Sequence, residues 1–272
     1  MPSGTRPSGP DEGALQEALG DRLGDIRLVD ECPSTNAELV AWAETSGAGS
    51  GVLATRHQSA GRGRLGRTWT SVPGGGIACS VLVSGLSPAA AGWLPALAGL
   101  AVRDLVTASG LEPDRTALKW PNDVLVDGRK VAGVLAERLA DGRVVIGFGV
   151  NVTLTAAQLP VPEATSLVLC GAPNLEQTPL LVAGLLGFAT RLDDLTSAEG
   201  ILAVAAHYVD VCASIGRRVR VERAGAPTVV GTAVTVAADA ALVVRPEGGG
   251  ADVTVAAGDV THLRDQRPNV RR

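Results

Sequence analysis

The sequence predicts an α+β protein: a mixed β-sheet flanked by helices, followed by a small all-β barrel. Three observations predict it. Apolar strand-like runs alternate with Ala/Leu-rich helical stretches up to about residue 215. Asp127-Gly128 and Asp141-Gly142 each lie between apolar runs, the strongest short-range hairpin signal. From about residue 216 the helical pattern stops, and short Val/Thr-rich runs separated by Gly and Asp take over. The expected organisation is a disordered tail over 1–12, a main domain over 13–215, the barrel over 216–266 and a second tail over 267–272.

Each element follows from local pattern. Leu15, Leu19 and Leu23 recur at four-residue spacing, which predicts a short helix. "IRLVDEC" reads as a strand, and "STNAELVAWAET" as a helix opened by a capping box of Thr35 and Glu38. "GVLATRHQ" and "GGIACSVLVSG" are apolar, β-branched strands on either side of a Gly/Arg stretch. Residues 88–109 are helical, with Pro95 imposing a kink or a late start. Residues 117–152 read as strand, turn, strand, turn, strand, and 178–195 and 198–213 return to helix.

Composition narrows the function classes. The chain has 272 residues, 46% hydrophobic and 3% aromatic, so a substantial core is built mainly from Ala, Val and Leu. A formal net charge of −4 argues against general electrostatic binding of nucleic acid, so any anion binding has to be local. Cys32, Cys79, Cys170 and Cys212 show no C-x-x-C spacing, and His57, His207 and His262 are equally scattered. That pattern points to reduced thiols in a cytosolic protein rather than a structural zinc site. The opening "MPSGTRPSGPDEG" lacks the apolar core of a secretory signal, and "PLLVAGLLGFAT" is shorter than a bilayer span. The expectation is a soluble, cytoplasmic protein with no membrane partner.

Three stretches carry chemistry. "HQSAGRGRLGRTW", residues 57–69, sets Arg62, Arg64 and Arg67 among Gly61, Gly63 and Gly66. Glycines let backbone approach a ligand, and guanidinium forks match carboxylate and phosphate oxygens. The pattern is neither a P-loop nor a dinucleotide fingerprint, and alone it fits a solvated loop as well as an anion site. "KWPNDVLVDGRKVAGVLAE", residues 119–137, brackets Asn122 and Asp123 between Lys119 and Lys130 behind a rigid Trp120-Pro121 turn. Gly133, with Gly147, Gly149 and Asn151 in "VIGFGVNV", marks strands approached closely by something else. "STN", Ser34 to Asn36, opens a helix and offers hydrogen bonds into a cleft. With no Cys/His nucleophile arrangement, the set suits binding a phosphate-containing ligand and stabilising developing charge. The residues by themselves reach a nucleotide-using transferase or ligase, with Asp123 a candidate magnesium ligand.

In combination, "STN", "GRGRLGRTW", "KWPNDVLVDGRKVAGVLAE" and "VIGFGVNV", in that order, resemble the biotin–protein ligases over residues 27–155 by motif, and to about 265 by architecture. The resemblance implies a class II synthetase-like, biotin-ligase type domain with an SH3-like C-terminal barrel. It implies ATP-dependent formation of biotinyl-5′-AMP, then transfer of biotin to a lysine of a biotin carboxyl carrier domain. Carried over, Ser34, Thr35, Asn36, Gln58 and the backbone of Gly61 to Gly63 meet the biotin head. Arg62, Arg64 and Arg67 meet carboxylate and phosphates, Trp69 lies against adenine, and Lys130 contacts the carboxyl or adenylate oxygens. Lys119, Asn122, Asp123 and Asn151 line the ATP and Mg2+ side, while Gly133, Gly147 and Gly149 let ligand lie on the sheet. Leu65 stands where some relatives carry a basic residue. The segment before the first strand is too short for the helix-turn-helix of bifunctional members, so a ligase without repressor activity is expected. Lipoate ligases share the core fold, but the Gly/Arg and Trp-Pro-Asn-Asp stretches favour biotin; a non-catalytic binding module is the alternative of another class. The arginine loop is expected to be mobile, its charges repelling one another until an anionic adenylate arrives.

Overall fold

The computed structural model describes residues 9–263; the tail expectations for 1–8 and 267–272 lie outside them. Seven strands form the main sheet: β1 (Asp25–Cys32), β2 (Gly51–Gln58), β3 (Gly76–Val83), β4 (Thr116–Lys119), β5 (Asp123–Val126), β6 (Arg129–Arg138) and β7 (Val144–Asn151). Their order is β1-β2-β3-β7-β6-β5-β4, with β1 and β2 parallel and every other pair antiparallel. Residues 117–152 thus hold four strands rather than three, because a short β4 precedes the Trp120-Pro121 turn. The two Asp-Gly turns fall where expected. Asp127 and Gly128 both have positive φ (50° and 75°), as a two-residue hairpin loop needs, and Gly142 (91°) turns β6 into β7.

Helices cover both faces. α1 (Glu12–Leu19), α4 (Leu94–Ala108) and α5 (Gln177–Asp194) pack on one side, with α6 (Ala198–Val211) against α4 and α5. α1 begins inside the expected tail, capped by Asp11, whose carboxylate accepts from the Ala14 amide at 2.8 Å. Pro95 gives a late start, not a kink: a single turn, α3 (Pro88–Gly92), ends at Trp93, and α4 restarts with Pro95 in its first turn. α2 (Thr35–Ser46) lies alone on the other face, where Leu39 and Ala43 pack on Leu53, Leu82 and Val145. Its N-cap is Ser34 rather than Thr35, and no side-chain capping bond forms, since Thr35 hydrogen-bonds elsewhere.

The C-terminal sheet comprises β8 (Arg218–Arg223), β9 (Ala226–Val236), β10 (Leu242–Pro246), β11 (Val253–Val255) and β12 (Asp259–His262), antiparallel in the order β11-β10-β9-β8-β12. Its apolar residues, including Val219, Val221, Leu242 and Val244, join the same core cluster as α4 and β7. Two tryptophans tie the units together: Trp93 Nε1 donates to the Ala238 carbonyl (2.8 Å) and Trp120 Nε1 to that of Ala240 (3.0 Å). Such pairing satisfies the indole N–H while its ring fills the seam. No helix among the described residues is long and apolar enough to cross a membrane.

Candidate active site

The site lies on the α2 face, and sheet register builds its floor. Side chains alternate across a strand, so Val145, Gly147, Gly149 and Asn151 of β7 share that face while Val144, Ile146 and Phe148 enter the core on the other. Gly147 is flanked by Ser80 and Leu135, and Gly149 by Ala78 and Gly133. The glycines line the cavity and also make room for side chains: a Cβ on Gly149 would stand 2.4 Å from the Trp69 indole, and one on Gly147 2.1 Å from Asn36 Oδ1. Trp69 therefore lies on the Gly133–Gly149 pair and lines the cavity there.

At the inner end, α2 and β2 bring Ser34, Thr35, Asn36 and Gln58 beside Ser80, all at most 8% exposed. Ser80 donates to Asn36 Oδ1 (2.6 Å) and its oxygen lies 2.7 Å from Thr35 Oγ1. Asn36 Nδ2 donates to Leu135 O (3.2 Å) and Glu137 Oε2 (2.7 Å), and the Thr35 amide to Gln58 Oε1 (2.8 Å). Buried polar groups of this kind are held in place because each lost partner leaves an unsatisfied one behind. Gln58 Nε2 makes no hydrogen bond within the described residues and lines the cavity as a free donor.

At the outer end, residues 61–69 form a short folded hairpin. The Trp69 amide bonds Gly61 O (2.9 Å), the Gly63 amide bonds Arg67 O (2.7 Å), and Leu65 and Gly66 turn the tip at φ 57° and 72°. Its arginines do not merely repel one another. Arg62 pairs with Glu137 (3.0 Å) and Arg67 with Asp259 of the C-terminal sheet. Arg64 has only a 3.4 Å hydrogen bond to Asn122 Oδ1, and burial pulls its guanidinium below the usual arginine range. Asn122 can present that oxygen because its Nδ2 is fixed to Val134 O (3.0 Å). Below the hairpin, Lys130 Nζ sits 2.6 Å from Asp123 Oδ1, an oxygen with no hydrogen-bond partner beyond that ion pair, and 5.9 Å from the Trp69 ring centre. Arg62, Arg64, Arg67 and Lys130 thus line a cavity with only Asp123 and Asp259 as carboxylates.

Residues 31–151 match the Biotin/lipoate A/B protein ligase family, and residues 214–263 the Biotin protein ligase C terminal domain. The chain is 40% identical over 261 residues to a biotin–[acetyl-CoA-carboxylase] ligase of Mycobacterium tuberculosis, covering 93% of this chain and 96% of that one. The chain belongs to the biotin/lipoate A/B protein ligase family. Among solved structures, a Leishmania major biotin protein ligase bound to biotinyl-5-AMP superposes with a TM-score of 0.61, at 25% identity over 86% of this chain and 99% of that one. An Aquifex aeolicus biotin protein ligase bound to biotin and ATP shares the fold (TM-score 0.71, 24% identity, 88% and 99% covered).

In this ligase most sequence-predicted residues converge on the cavity. Ser34, Thr35, Asn36, Gln58, Arg62, Gly63, Arg64, Arg67, Trp69, Asn122, Asp123, Lys130 and Gly133 all line it. Gly61, Lys119 and Asn151 do not. Gly61 is the crossing point of the hairpin, where a Cβ would meet Trp69 O at 2.5 Å. Asn151 gives its amide to Thr165 O (2.9 Å). Lys119 lies outside the cavity, near enough to help keep the Asp259 carboxyl below its usual range, an effect led by the Arg67 hydrogen bond. Ser80, Glu137 and Asp259 were missed. Ser80 carried a signal, a small polar residue inside an apolar strand; Glu137 and Asp259 carried none, because their partners are distant in sequence. Among the described residues no three His, Cys, Asp or Glu are placed to hold a metal. Asp123, whose buried Oδ1 has no partner beyond Lys130, is the cavity carboxylate with a free oxygen suited to a cation brought in with phosphates.

Proposed function

We propose that the protein forms biotinyl-5′-AMP from biotin and ATP and transfers the biotinyl group to one lysine of a biotin carboxyl carrier domain of an acyl-CoA carboxylase. The observation that carries this reading is the cavity's polarity: a buried, neutral hydrogen-bonding end faces a cationic one across a tryptophan. A cyclic urea head presents both donors and acceptors, and Gln58 Nε2, Ser34 and the Thr35–Ser80–Asn36 chain are suited to meet it. The carboxylate at the far end of the ligand then falls among the arginines. Its oxygen attacks the α-phosphorus and pyrophosphate leaves; later the lysine amine attacks the mixed-anhydride carbonyl and AMP leaves.

The chain supplies no nucleophile of its own, so its work is positioning and charge neutralisation. Arg64, half-buried without an ion-pair partner, is assigned to the α-phosphoryl oxygens, and Lys130 to the carboxyl or adenylate oxygens. Trp69, which lines the cavity above the Gly133–Gly149 pair, is assigned to the flat part of the ligand. Asp123 would help hold a magnesium ion brought in with ATP, which would supply charge neutralisation for the phosphates. ATP and a carboxylase carrier as substrates put this work in the cytoplasm.

The test is an assay with labelled biotin, Mg-ATP and a carrier domain, run alongside lipoate. Label should appear on the carrier lysine with release of pyrophosphate, and lipoate should not be adenylated. Adenylation of lipoate but not biotin would transfer the reading to lipoate ligation.

A further inference from the structure

The chain that joins the two units is bonded to the edge of the main sheet. β4 is that edge, and residues 212–214, between α6 and β8, lie alongside it. Cys212 forms a parallel bridge with Leu118, and the Ala213 amide donates to Leu118 O at 2.7 Å. One step further on, the Trp120 amide donates to Ser214 Oγ at 3.1 Å. Ser214 is fully buried, and its oxygen lies 2.9 Å from Nε2 of His262, the last residue of β12.

One group sets the direction of every bond in this series. A backbone amide can only donate, so Ser214 Oγ accepts from Trp120 and its own proton is left for His262 Nε2. That requires a neutral ring. Burial, with Lys119 and Arg217 nearby, pushes the His262 pKa down to about 4, so at neutral pH one ring nitrogen accepts, and Nε2 is the one placed to do so.

Trp120 opens the turn that delivers Asn122 and Asp123 to the cavity. On one side β6 holds this turn: the Val134 amide donates to Asn122 O (2.9 Å), and Asn122 Nδ2 donates to Val134 O (3.0 Å). On the other side both N–H groups of Trp120 end on the C-terminal part of the chain, the amide on Ser214 and the indole on Ala240 O. The Arg64 contact with Asn122 and the Lys130 contact with Asp123 both depend on where this turn stands.

We propose that Ser214 and His262 are positioning residues for the nucleotide end of the site: the relay from the Trp120 amide through the Ser214 hydroxyl to His262 Nε2 fixes the turn, and with it Asn122 and Asp123 beside Arg64 and Lys130. This deepens the adenylating reading and rests on it. The biotin end draws its polar groups from α2, β2 and β3. Loss of the relay therefore weakens the use of nucleotide and leaves biotin binding alone.

The experiment compares wild type, Ser214→Ala, His262→Leu and His262→Gln as full chains. The first two variants break the relay; in His262→Gln a side-chain amide oxygen stands in for Nε2 and accepts the same proton. The KM for Mg-ATP in biotin-dependent pyrophosphate release should rise about three- to ten-fold in Ser214→Ala and His262→Leu, the scale of one lost hydrogen bond. Biotin affinity, measured by calorimetry, should be unchanged, and His262→Gln should return the wild-type KM. A role in stability alone would lower the melting temperature and the yield of active protein, yet leave the KM of the folded fraction where it was. Hydrogen exchange of the Trp120-to-Asp123 turn reads the positioning without turnover, and should be faster in His262→Leu than in wild type or His262→Gln. If Ser214→Ala gives no folded protein, the two variants of part-exposed His262 decide. An unchanged KM for Mg-ATP in the relay-breaking variants overturns the proposal, as does an equal rise in His262→Gln. A wild type that releases no pyrophosphate from biotin and Mg-ATP overturns the adenylating reading instead, and the exchange comparison then still judges the relay.

Discussion

At the inner end of the cavity Ser34, Thr35, Asn36, Gln58 and Ser80 are at most 8% exposed and carry no charge, whereas at the outer end Arg67 and Asp259 keep 62% and 42% of their side chains in water and are fully charged. The two ends solve different problems. A neutral donor–acceptor network can be buried without a large desolvation penalty, and burial then holds it in one arrangement that can read a head group. Charges meant for phosphate are costly to bury unpaired, so Arg62 and Arg67 stay near the surface, each lent to a carboxylate, whereas half-buried Arg64 keeps only the Asn122 oxygen. Glu137 joins the two ends, accepting from Asn36 at 2.7 Å and from Arg62 at 3.0 Å.

If that contrast is right, substitutions at the inner end act strongly and without regard to salt, and those at the outer end act weakly and through charge. Gly147→Ala tests it most severely. The new methyl would stand 2.1 Å from Asn36 Oδ1, and overpacking of about 1–3 kcal/mol corresponds to biotin binding weakened by roughly 5- to 150-fold. Calorimetry with biotin measures it; a loss under threefold would show that the network can shift and is not fixed.

Ser80→Ala is next. It strips Asn36 Oδ1 of its 2.6 Å donor in a fully buried position, a loss of about 1–3 kcal/mol. Melting temperature and biotin affinity should both fall, equally at low and high salt; a salt-dependent effect would contradict the division of labour. Arg62→Gln should do least to stability. Its partner pair with Glu137 is partly exposed (46% and 31%), so the change stays within about 1 kcal/mol and fades in 0.5 M salt. A larger, salt-insensitive loss would move Arg62 to the inner class.

Much of this was legible beforehand, for local reasons. Gly147 and Gly149 stand two apart in an apolar run, which places both on one face of a strand, and the Asp-Gly turns put neighbouring strands beside it. What the glycines admit was not legible: Trp69 and Asn36 occupy them, and both come from other segments. The helix opening at Ser34 slipped by one residue because Thr35, a good cap by propensity, is drawn to Gln58 instead. The hairpin looked like floppy, self-repelling charge because Glu137 and Asp259 lie 75 and 192 residues from the arginines they neutralise.

By itself, then, the sequence determined the element pattern, the glycine-backed sheet face and the group of residues that converge on the cavity, since periodicity, turn chemistry and residue type act over a few neighbours. Only the tertiary structure decided which arginine has which counter-ion, that Trp69 lies on the floor, and that the C-terminal sheet reaches into the site. Ion pairs and register between distant strands depend on through-space separation, and a linear chain does not encode that separation until it has folded.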